Sequence, residues 1–186
     1  GKRIELIIEP GRAAIASCAT LLATVVSVKW QNDSPKETLR ERIDGGAIRG
    51  ANLFHSFQQF NVGDGQRVYF SNPAGIDNIL SRVTGNDASN ILGTLGVNGS
   101  ANLFLLNPNG IIFGENAKLD VGGSFVGSTA SAIQFGDRGF FSAIDPEIPP
   151  LLTVNPSAFF FNHIQAGKIE NRSTAPAGVD PLEKPL

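Results

Sequence analysis

Short runs of strand-forming residues alternate with polar corners along most of this chain. Leu103–Leu106 and Gly110–Phe113 are rich in Leu, Ile and Phe and too short for buried helices. The corners between such runs are rich in Gly, Asn and Asp: Asn61–Gly65, Asn86–Asp87, Asn98–Gly99, Asn107–Gly110, Asn116 and Gly122–Gly123. Residues 136–151 form a loop that includes three prolines, after which strand-like runs return at Leu151–Val154, Ala158–Phe161 and Lys168–Asn171. Corners this frequent and even do not fit α/β crossovers, so the pattern predicts an all-β fold.

The segment Asn52–Phe57 has the alternation of a β-strand. It places Leu53, His55 and Phe57 on one face and Phe54 and Ser56 on the other. Construction of the fold is the simplest explanation of this pattern, whether or not a partner also recognises it.

The sharpest local motif is Asn107–Ile111. Pro108 fixes φ, and Asn109 and Gly110 readily supply positive φ, so the chain turns tightly before it enters an apolar run. The sequence therefore predicts a turn at this point, and fold construction is again the simplest explanation.

The spacing of the corners leaves two architectures open. A sandwich or barrel is built from hairpins with short turns, whereas a solenoid repeats a coil of roughly 20 residues and stacks equivalent residues. Two drifting series have such spacings, namely Asn78, Asn98, Asn116 and Phe113, Phe135, Phe159. Spacing alone does not separate a solenoid from a sandwich.

Composition excludes several classes of protein. The 186 residues are 41% hydrophobic and 17% charged, which suits one domain with a sizeable core. A net charge of −2 and scattered cations argue against a nucleic-acid-binding protein. The single cysteine, Cys18, excludes a disulfide scaffold and a cysteine-clustered metal site. The 21 Gly and 15 Asn suit many turns, and the 13 Phe suit an apolar stack.

The two ends of the chain differ from its middle. Ala13–Val28 is uncharged but, at about 16 residues, too short to span a bilayer as a helix, so no membrane span is expected. Within it, Thr24–Val28 suits a strand covering the open end of a β-fold, an interpretation we favour over a secretory signal. The tail from Ser173 is rich in proline, which is typical of a linker.

Residues with catalytic or metal-binding chemistry are sparse. His55 and His163 lie far apart and are expected to be hydrogen-bonded structural histidines rather than bases. A polysaccharide lyase would need converging carboxylates, which only a solenoid could provide by stacking Asp64, Asp77, Asp87 and Asp120. The glycine-rich corners lack the lysine and spacing of phosphate-binding loops. We therefore expect no enzyme activity, no catalytic residue, no cofactor and no metal.

Three segments in order carry a resemblance to a known family: Asn52–Phe57 followed by Phe60–Val62, then Ile79–Gly85, then Ala101–Ile111. Together they resemble the N-terminal secretion domain of filamentous-haemagglutinin-type proteins, the exported partners of two-partner secretion systems. The likeness is greatest to cyanobacterial members and includes Leu152–Asn155 and Ala158–Phe159. An upstream Asn-Pro-Asn-Leu motif of many members has only Asn72–Gly75 as its counterpart.

The resemblance implies a right-handed, single-stranded parallel β-helix with an N-terminal β cap and extra-helical β elements. It divides the chain into an N-terminal segment with a cap strand at 1–42, the β-helix domain at 43–172 and a tail or linker to a passenger at 173–186. It also implies that two segments carry transporter recognition or folding: Asn52, Leu53, Phe54, His55, Ser56 and Phe57, and Asn107, Pro108, Asn109, Gly110 and Ile111.

The resemblance further implies a function in secretion. The expected partner is an outer-membrane transporter of the TpsB type, which recognises the domain through its periplasmic POTRA domains. The domain would then start β-helix folding of a downstream passenger in the same polypeptide. We expect a monomer, without nucleic acid, that is secreted or displayed at the surface of a Gram-negative-type bacterium. A carbohydrate- or surface-binding adhesin module and, less favoured, a polysaccharide lyase remain the alternatives.

Overall fold

Every regular element in the computed structural model is a β-strand across the residues it describes, which are 40–146, 152–162 and 167–175. The all-β prediction is confirmed. In chain order the strands are β1 (Arg40–Ile43), β2 (Ala47–Arg49), β3 (Asn52–Phe57), β4 (Arg67–Ser71), β5 (Asn78–Val83), β6 (Ser89–Ile91), β7 (Thr94–Asn98), β8 (Asn102–Leu106), β9 (Ile111–Phe113), β10 (Lys118–Asp120), β11 (Phe125–Ser128), β12 (Ala132–Gln134), β13 (Phe140–Ser142), β14 (Ala158–Phe160) and β15 (Ile169–Asn171). Among these residues no helix is long and apolar enough to cross a membrane.

Three parallel sheets wind into a solenoid. Sheet A has the order β1-β4-β7-β10, sheet B the order β2-β3-β5-β8-β11, and sheet C the order β6-β9-β15. Successive strands along the chain visit the three sheets in turn, and neighbours in each sheet pair in parallel, except that β2 pairs antiparallel with β3. This is the stacked-coil arrangement of a parallel β-helix, so the solenoid is confirmed and the sandwich excluded.

Of the asparagine spacing series, only Asn78 belongs to the ladder seen in the described residues. The asparagine ladder in sheet B consists of Asn52, Asn78 and Asn102, which are register partners 26 and 24 residues apart. Asn98 instead lies in sheet A opposite Ser71. The series was therefore wrong in Asn98, because asparagine occupies several different corners of the coils.

The interior of the coils forms the larger hydrophobic core. Each sheet contributes its inward row, such as Val68 and Leu95 from sheet A and Ile91 and Ile111 from sheet C. Leu53 and Phe57 of β3 lie in this core, whereas Phe54 lies in a second core on the opposite face. The alternation predicted for residues 52–57 is confirmed.

An antiparallel outer sheet covers the outside of sheet B. Its order is β13-β12-β14, and it belongs to an excursion that leaves the coil after β11 and returns at β15, which pairs with β9. Ile133 and Phe141 of the outer sheet pack with Leu80 of sheet B in the second core. Sheet B is thus buried on both faces, and all six residues of β5 are buried. The extra-helical β elements implied by the resemblance are confirmed.

The phenylalanines do not all fill the coil interior, as the composition suggested. Phe57, Phe60, Phe70 and Phe113 lie in the inner core, and Phe54, Phe135 and Phe141 lie in the second core. Phe140, Phe159, Phe160 and Phe161 are exposed on or just after the strands of the outer sheet. Three phenylalanines that the composition suggested for the coil interior thus lie in a second core on the outer face of sheet B.

Candidate functional site

The two predicted segments occupy different coils. Asn52–Phe57 forms β3 in the first complete coil, and Asn107–Ile111 forms the corner between β8 and β9 two coils later. Both contact the corner of the coil between them. The Phe57 carbonyl accepts a hydrogen bond from the backbone amide of Thr84, and Asn109 Nδ2 donates to the carbonyl of Gly85 at 2.7 Å. The structure therefore connects the two segments through this corner and shows no hydrogen bond between them in the residues described.

Almost the whole of both segments is buried in the folded domain. Of the eleven residues, Asn109 is exposed and Ser56 is half-buried, and the other nine are buried. Their burial arises because β3 lies between the inner core and the outer sheet, and because the corner lies under the returning residues Gly167 and Lys168. A partner can read most of these side chains only while the segment is not yet folded.

Asn52 begins a ladder of side-chain hydrogen bonds along the outer face of sheet B. Asn78 Nδ2 donates to Asn52 Oδ1 at 2.9 Å, and Asn102 Nδ2 donates to Asn78 Oδ1 at 3.0 Å. Asn52 Nδ2 donates to the carbonyls of Leu152 and Val154 at 2.9 and 2.8 Å. The ladder links successive coils and also fixes the excursion to the first coil, and such a connected network favours one register.

His55 lies in the inner core and is 1% exposed. Its ring stacks on Phe57 with 6.0 Å between centroids and meets Phe70 edge-on at 5.2 Å. Burial lowers the pKa of His55 from 6.5 to about 4, so the ring is neutral at pH 7. Among the described residues neither ring nitrogen has a hydrogen-bond partner, so the expectation of a hydrogen-bonded histidine was wrong for His55. His163 lies outside the described residues.

Arg82 is a buried cation that the sequence analysis did not identify. It is 4% exposed on the outer face of β5, where Nε donates to Ser56 Oγ at 2.7 Å and Nη1 donates to the carbonyl of Ser142 at 2.6 Å. Its guanidinium also lies 4.5 Å from the centre of the Phe141 ring. Burial lowers the pKa of Arg82 to about 10, and no carboxylate of the described residues forms an ion pair with it. The position of Arg82 within Ile79–Gly85 was visible in the sequence, but its partner Ser142 lies 60 residues away.

The Asn107 side chain organises the second segment. Its Nδ2 donates to the carbonyl of Asp87 and to Ser89 Oγ, each at 3.0 Å. Its Oδ1 accepts the backbone amide of Asn109 at 3.0 Å, and its carbonyl accepts the amide of Gly110 at 3.1 Å. The predicted turn is confirmed, and its side chains join it to the corner of the preceding coil.

Gly110 and the returning chain approach each other closely. Gly110 has a φ of 127°, and a Cβ at this position would lie 2.9 Å from the carbonyl oxygen of Lys168. Pro108 and Ile111 form backbone hydrogen bonds with Gly167 and Lys168. Glycine is required here by both the backbone angle and the space, and the corner thereby fixes the point at which the chain rejoins the solenoid.

The carboxylates do not converge. Asp64 accepts a hydrogen bond from Asn116, and Asp87 accepts one from Gln59. Asp120 accepts the hydroxyl of Tyr69 on the outside of sheet A, where burial first and the Asp120 hydrogen bond second raise the pKa of Tyr69. In the described ranges no group of three or more His, Cys, Asp or Glu side chains is placed to hold a metal ion. The stacked carboxylates that a lyase would require are therefore not seen in this part of the chain.

The fold is a parallel β-solenoid with an antiparallel outer sheet on sheet B, and the two asparagine-containing segments are largely buried in it. These features define the structural class of the protein. Comparison with known families gives the particular one: the TPS secretion domain family matches residues 26–175. The chain belongs to the TPS secretion domain family. The family and the fold point to a role in secretion rather than in catalysis.

Two curated relatives are heme/hemopexin-binding proteins of Haemophilus influenzae. One, from strain KW20 / Rd, is 38% identical over 69 residues, which cover 37% of this chain and 7% of the relative. The other is 32% identical over 104 residues, which cover 56% of this chain and 10% of the relative. The matched segments thus span a tenth or less of the length of these relatives.

Proposed function

We propose that this chain is the part of a larger exported polypeptide that is recognised for secretion, and that it is also the nucleus from which that polypeptide folds. A partner outer-membrane transporter of the TpsB type binds it through periplasmic POTRA domains, and the domain then starts folding of the passenger that follows. The product is secreted or held at the cell surface. Membership of the TPS secretion domain family is the observation that carries this proposal.

Recognition takes place while the chain is extended. Nine of the eleven residues in the two segments are buried in the folded domain, so the transporter reads them before the coils close. An extended apolar segment such as Leu53–Phe57 suits addition to the edge of a partner sheet, where backbone hydrogen bonds give affinity and side-chain pockets give specificity.

Folding then proceeds from the last coil toward the passenger. Strands β10, β11 and β15 stand at the ends of sheets A, B and C among the described residues. Ile169 of β15 shares the inward row of the buried Ile111, yet is 47% exposed. An edge with an apolar end favours stacking of another coil, because each coil of a solenoid needs a neighbour to bury its faces.

The ligand named for the relatives is not transferred to this chain. Their similarity to it covers only 7% and 10% of their length. The passenger and its target therefore stay open, and the proposal concerns export alone.

The test is surface yield of the full-length polypeptide expressed with its partner transporter. We expect Asn109→Ala and His55→Ala to lower surface yield while leaving translocation across the inner membrane intact. Asn86→Ala is the matched control, since Asn86 is an exposed asparagine at the neighbouring corner. Unchanged surface yield for both test variants would reject the assignment of these segments.

A second measurement separates recognition from folding. Binding of an unfolded peptide spanning residues 50–112 to the isolated POTRA domains reports recognition, and urea unfolding of the domain reports folding. We expect wild-type peptide to bind and the peptide with both substitutions to bind more weakly. Failure of the wild-type peptide to bind would overturn recognition in the extended state.

A further inference from the structure

The largely apolar interior of the first coils contains the polar side chains of His55 and Ser81. His55 of β3 and Ser81 of β5 are register partners on adjacent parallel strands. Neighbouring strands lie about 5 Å apart, and register partners point to the same face of the sheet, so the two side chains share the inward face. Both residues are buried at 1% and 0% exposure. Within the described residues, the two ring nitrogens of His55 and the Oγ of Ser81 have no hydrogen-bond partner.

The space around His55 is closed by apolar groups and backbone. Phe57 and Phe70 pack against the ring, and a Cβ at Gly46 would lie 2.9 Å from His55 Cε1. A glycine at position 46 is thus needed for the imidazole to fit. The neutral ring can be buried in such a site, but a charged imidazolium loses its hydration without receiving a counter-charge.

The charged groups of the surrounding elements have other partners. On β1 and the loop after it, Glu41 accepts a hydrogen bond from Gln66, and Asp44 pairs with Arg42 and accepts the hydroxyl of Ser71. On β4, Arg67 donates to Tyr69 on the outside of sheet A.

On β5 the charged group is Arg82, which interacts with Ser56 and Ser142 outside the coil. The inward neighbours of His55 on its own strand, Leu53 and Phe57, are apolar. The hydrogen bonds and ion pairs seen for Glu41 and Asp44 in the described ranges are made with groups other than His55, and burial is the cause that lowers the pKa of the ring.

We propose that His55, with Ser81 beside it, is a proton-sensitive site that couples folding of the solenoid to pH. The folded state favours the neutral ring, so proton uptake shifts the equilibrium toward opening of the coils around β3 and β5. The inference is independent of the proposed function, because it concerns the folding equilibrium of the chain itself.

The direction in which stability changes with pH follows from the pKa of His55 in the folded and the unfolded chain. The pKa of His55 is about 4 in the folded protein, against its ordinary value of 6.5 when the chain is unfolded. Stability from the neutral ring is complete above pH 6.5 and is lost progressively as the pH falls toward 4. The two pKa values differ by about 2.5 units, so protonation of His55 can raise the unfolding equilibrium constant by up to roughly 300-fold.

The experiment is urea unfolding of the 186-residue chain, followed by circular dichroism between pH 7.5 and 4. Three proteins are compared: wild type, His55→Phe, and the matched control His163→Gln, which removes the second histidine. Between pH 7.5 and 4, we expect the unfolding constant of wild type and of His163→Gln to rise by a factor roughly 150-fold larger than that of His55→Phe. Equal pH dependence in all three proteins would overturn the proposal.

A second measurement covers the case in which His55→Phe does not fold. In the His163→Gln protein the single remaining imidazole is titrated by NMR in the folded state. A midpoint near pH 4, or unfolding before the ring titrates, supports the proposal. A folded protein whose ring titrates near pH 6.5 contradicts it. Ser81→Ala leaves the titrating ring in place, so its unfolding should remain acid-dependent.

Discussion

At the scale of single residues, buried polar side chains hold the excursion to the coil. Asn52 reaches the carbonyls of Leu152 and Val154 across 100 and 102 residues of sequence. Arg82 reaches the carbonyl of Ser142 and the face of Phe141. Leaving such a buried donor or acceptor without a partner costs about 1–3 kcal/mol. These residues consequently specify where the outer sheet sits.

The Arg82→Ala substitution tests this role. It removes two hydrogen bonds and a ring contact and leaves Ser56 and the Ser142 carbonyl without their partner, so we expect unfolding to become easier by about 2–4 kcal/mol. The measurement is urea unfolding at pH 7.

Arg138→Ala is the control for Arg82→Ala. Arg138 is exposed and, in the part of the chain that the structure describes, pairs with the exposed Asp137 at 3.4 Å. Pairs of this kind contribute about 0–1 kcal/mol. Similar losses for the two variants would show that Arg82 does not hold the outer sheet.

At the scale of elements, sheet B is central to the packing because the coil interior covers one of its faces and the outer sheet covers the other. Its strands carry apolar residues on both faces, and the two faces belong to different cores: Leu53 lies inside the coil and Phe54 lies under the outer sheet. Near-continuous apolar runs of this kind are typical of parallel sheets buried on both sides. The outer sheet is therefore part of the folded core.

Adjacent phenylalanines of β13 test the contribution of the outer sheet. Phe141 is fully buried against Phe54 with ring centroids 4.9 Å apart, whereas Phe140 is 47% exposed. We expect Phe141→Ala to destabilise the domain by about 3–5 kcal/mol, the usual cost for a buried phenylalanine. Phe140→Ala should cost about 1 kcal/mol or less. The measurement is thermal or urea unfolding of both variants. Equal losses of stability would mean that the outer sheet does not unfold cooperatively with the rest of the domain.

How far the elements could be predicted depended on the range of the contacts that define them. Alternation placed Leu53 and Phe54 correctly on opposite faces, and local turn chemistry placed the corner at Asn109 and Gly110, because both are properties of neighbouring residues. The solenoid itself followed from the family resemblance, since the spacing of the corners alone did not separate a solenoid from a sandwich. The burial of Arg82 was missed because it depends on contacts across 60 residues.

At the scale of the whole molecule, the solenoid is built so that each coil is supported by its neighbours. Strand β5 pairs with β3 on one side and β8 on the other, and both of its faces are covered. Strand β15 pairs with β9 alone among the described residues, and its Ile169 is half exposed. Stability in such an array is approximately a sum of coil and interface contributions, so it decreases from the centre to this end.

Hydrogen exchange of the 186-residue chain at pH 7 tests this gradient. Amides of β5 and β8 should exchange only through global unfolding, whereas those of β10 and β15 should exchange through local opening at least about tenfold faster. Uniform protection in all four strands would mean that the domain unfolds as one unit.

Extending the chain with its own downstream residues should then raise protection of β10 and β15 toward that of β5, because a further coil would cover Ile169. An extended chain in which only the added residues lack protection, and the end strands exchange as before, would contradict passenger folding on this edge.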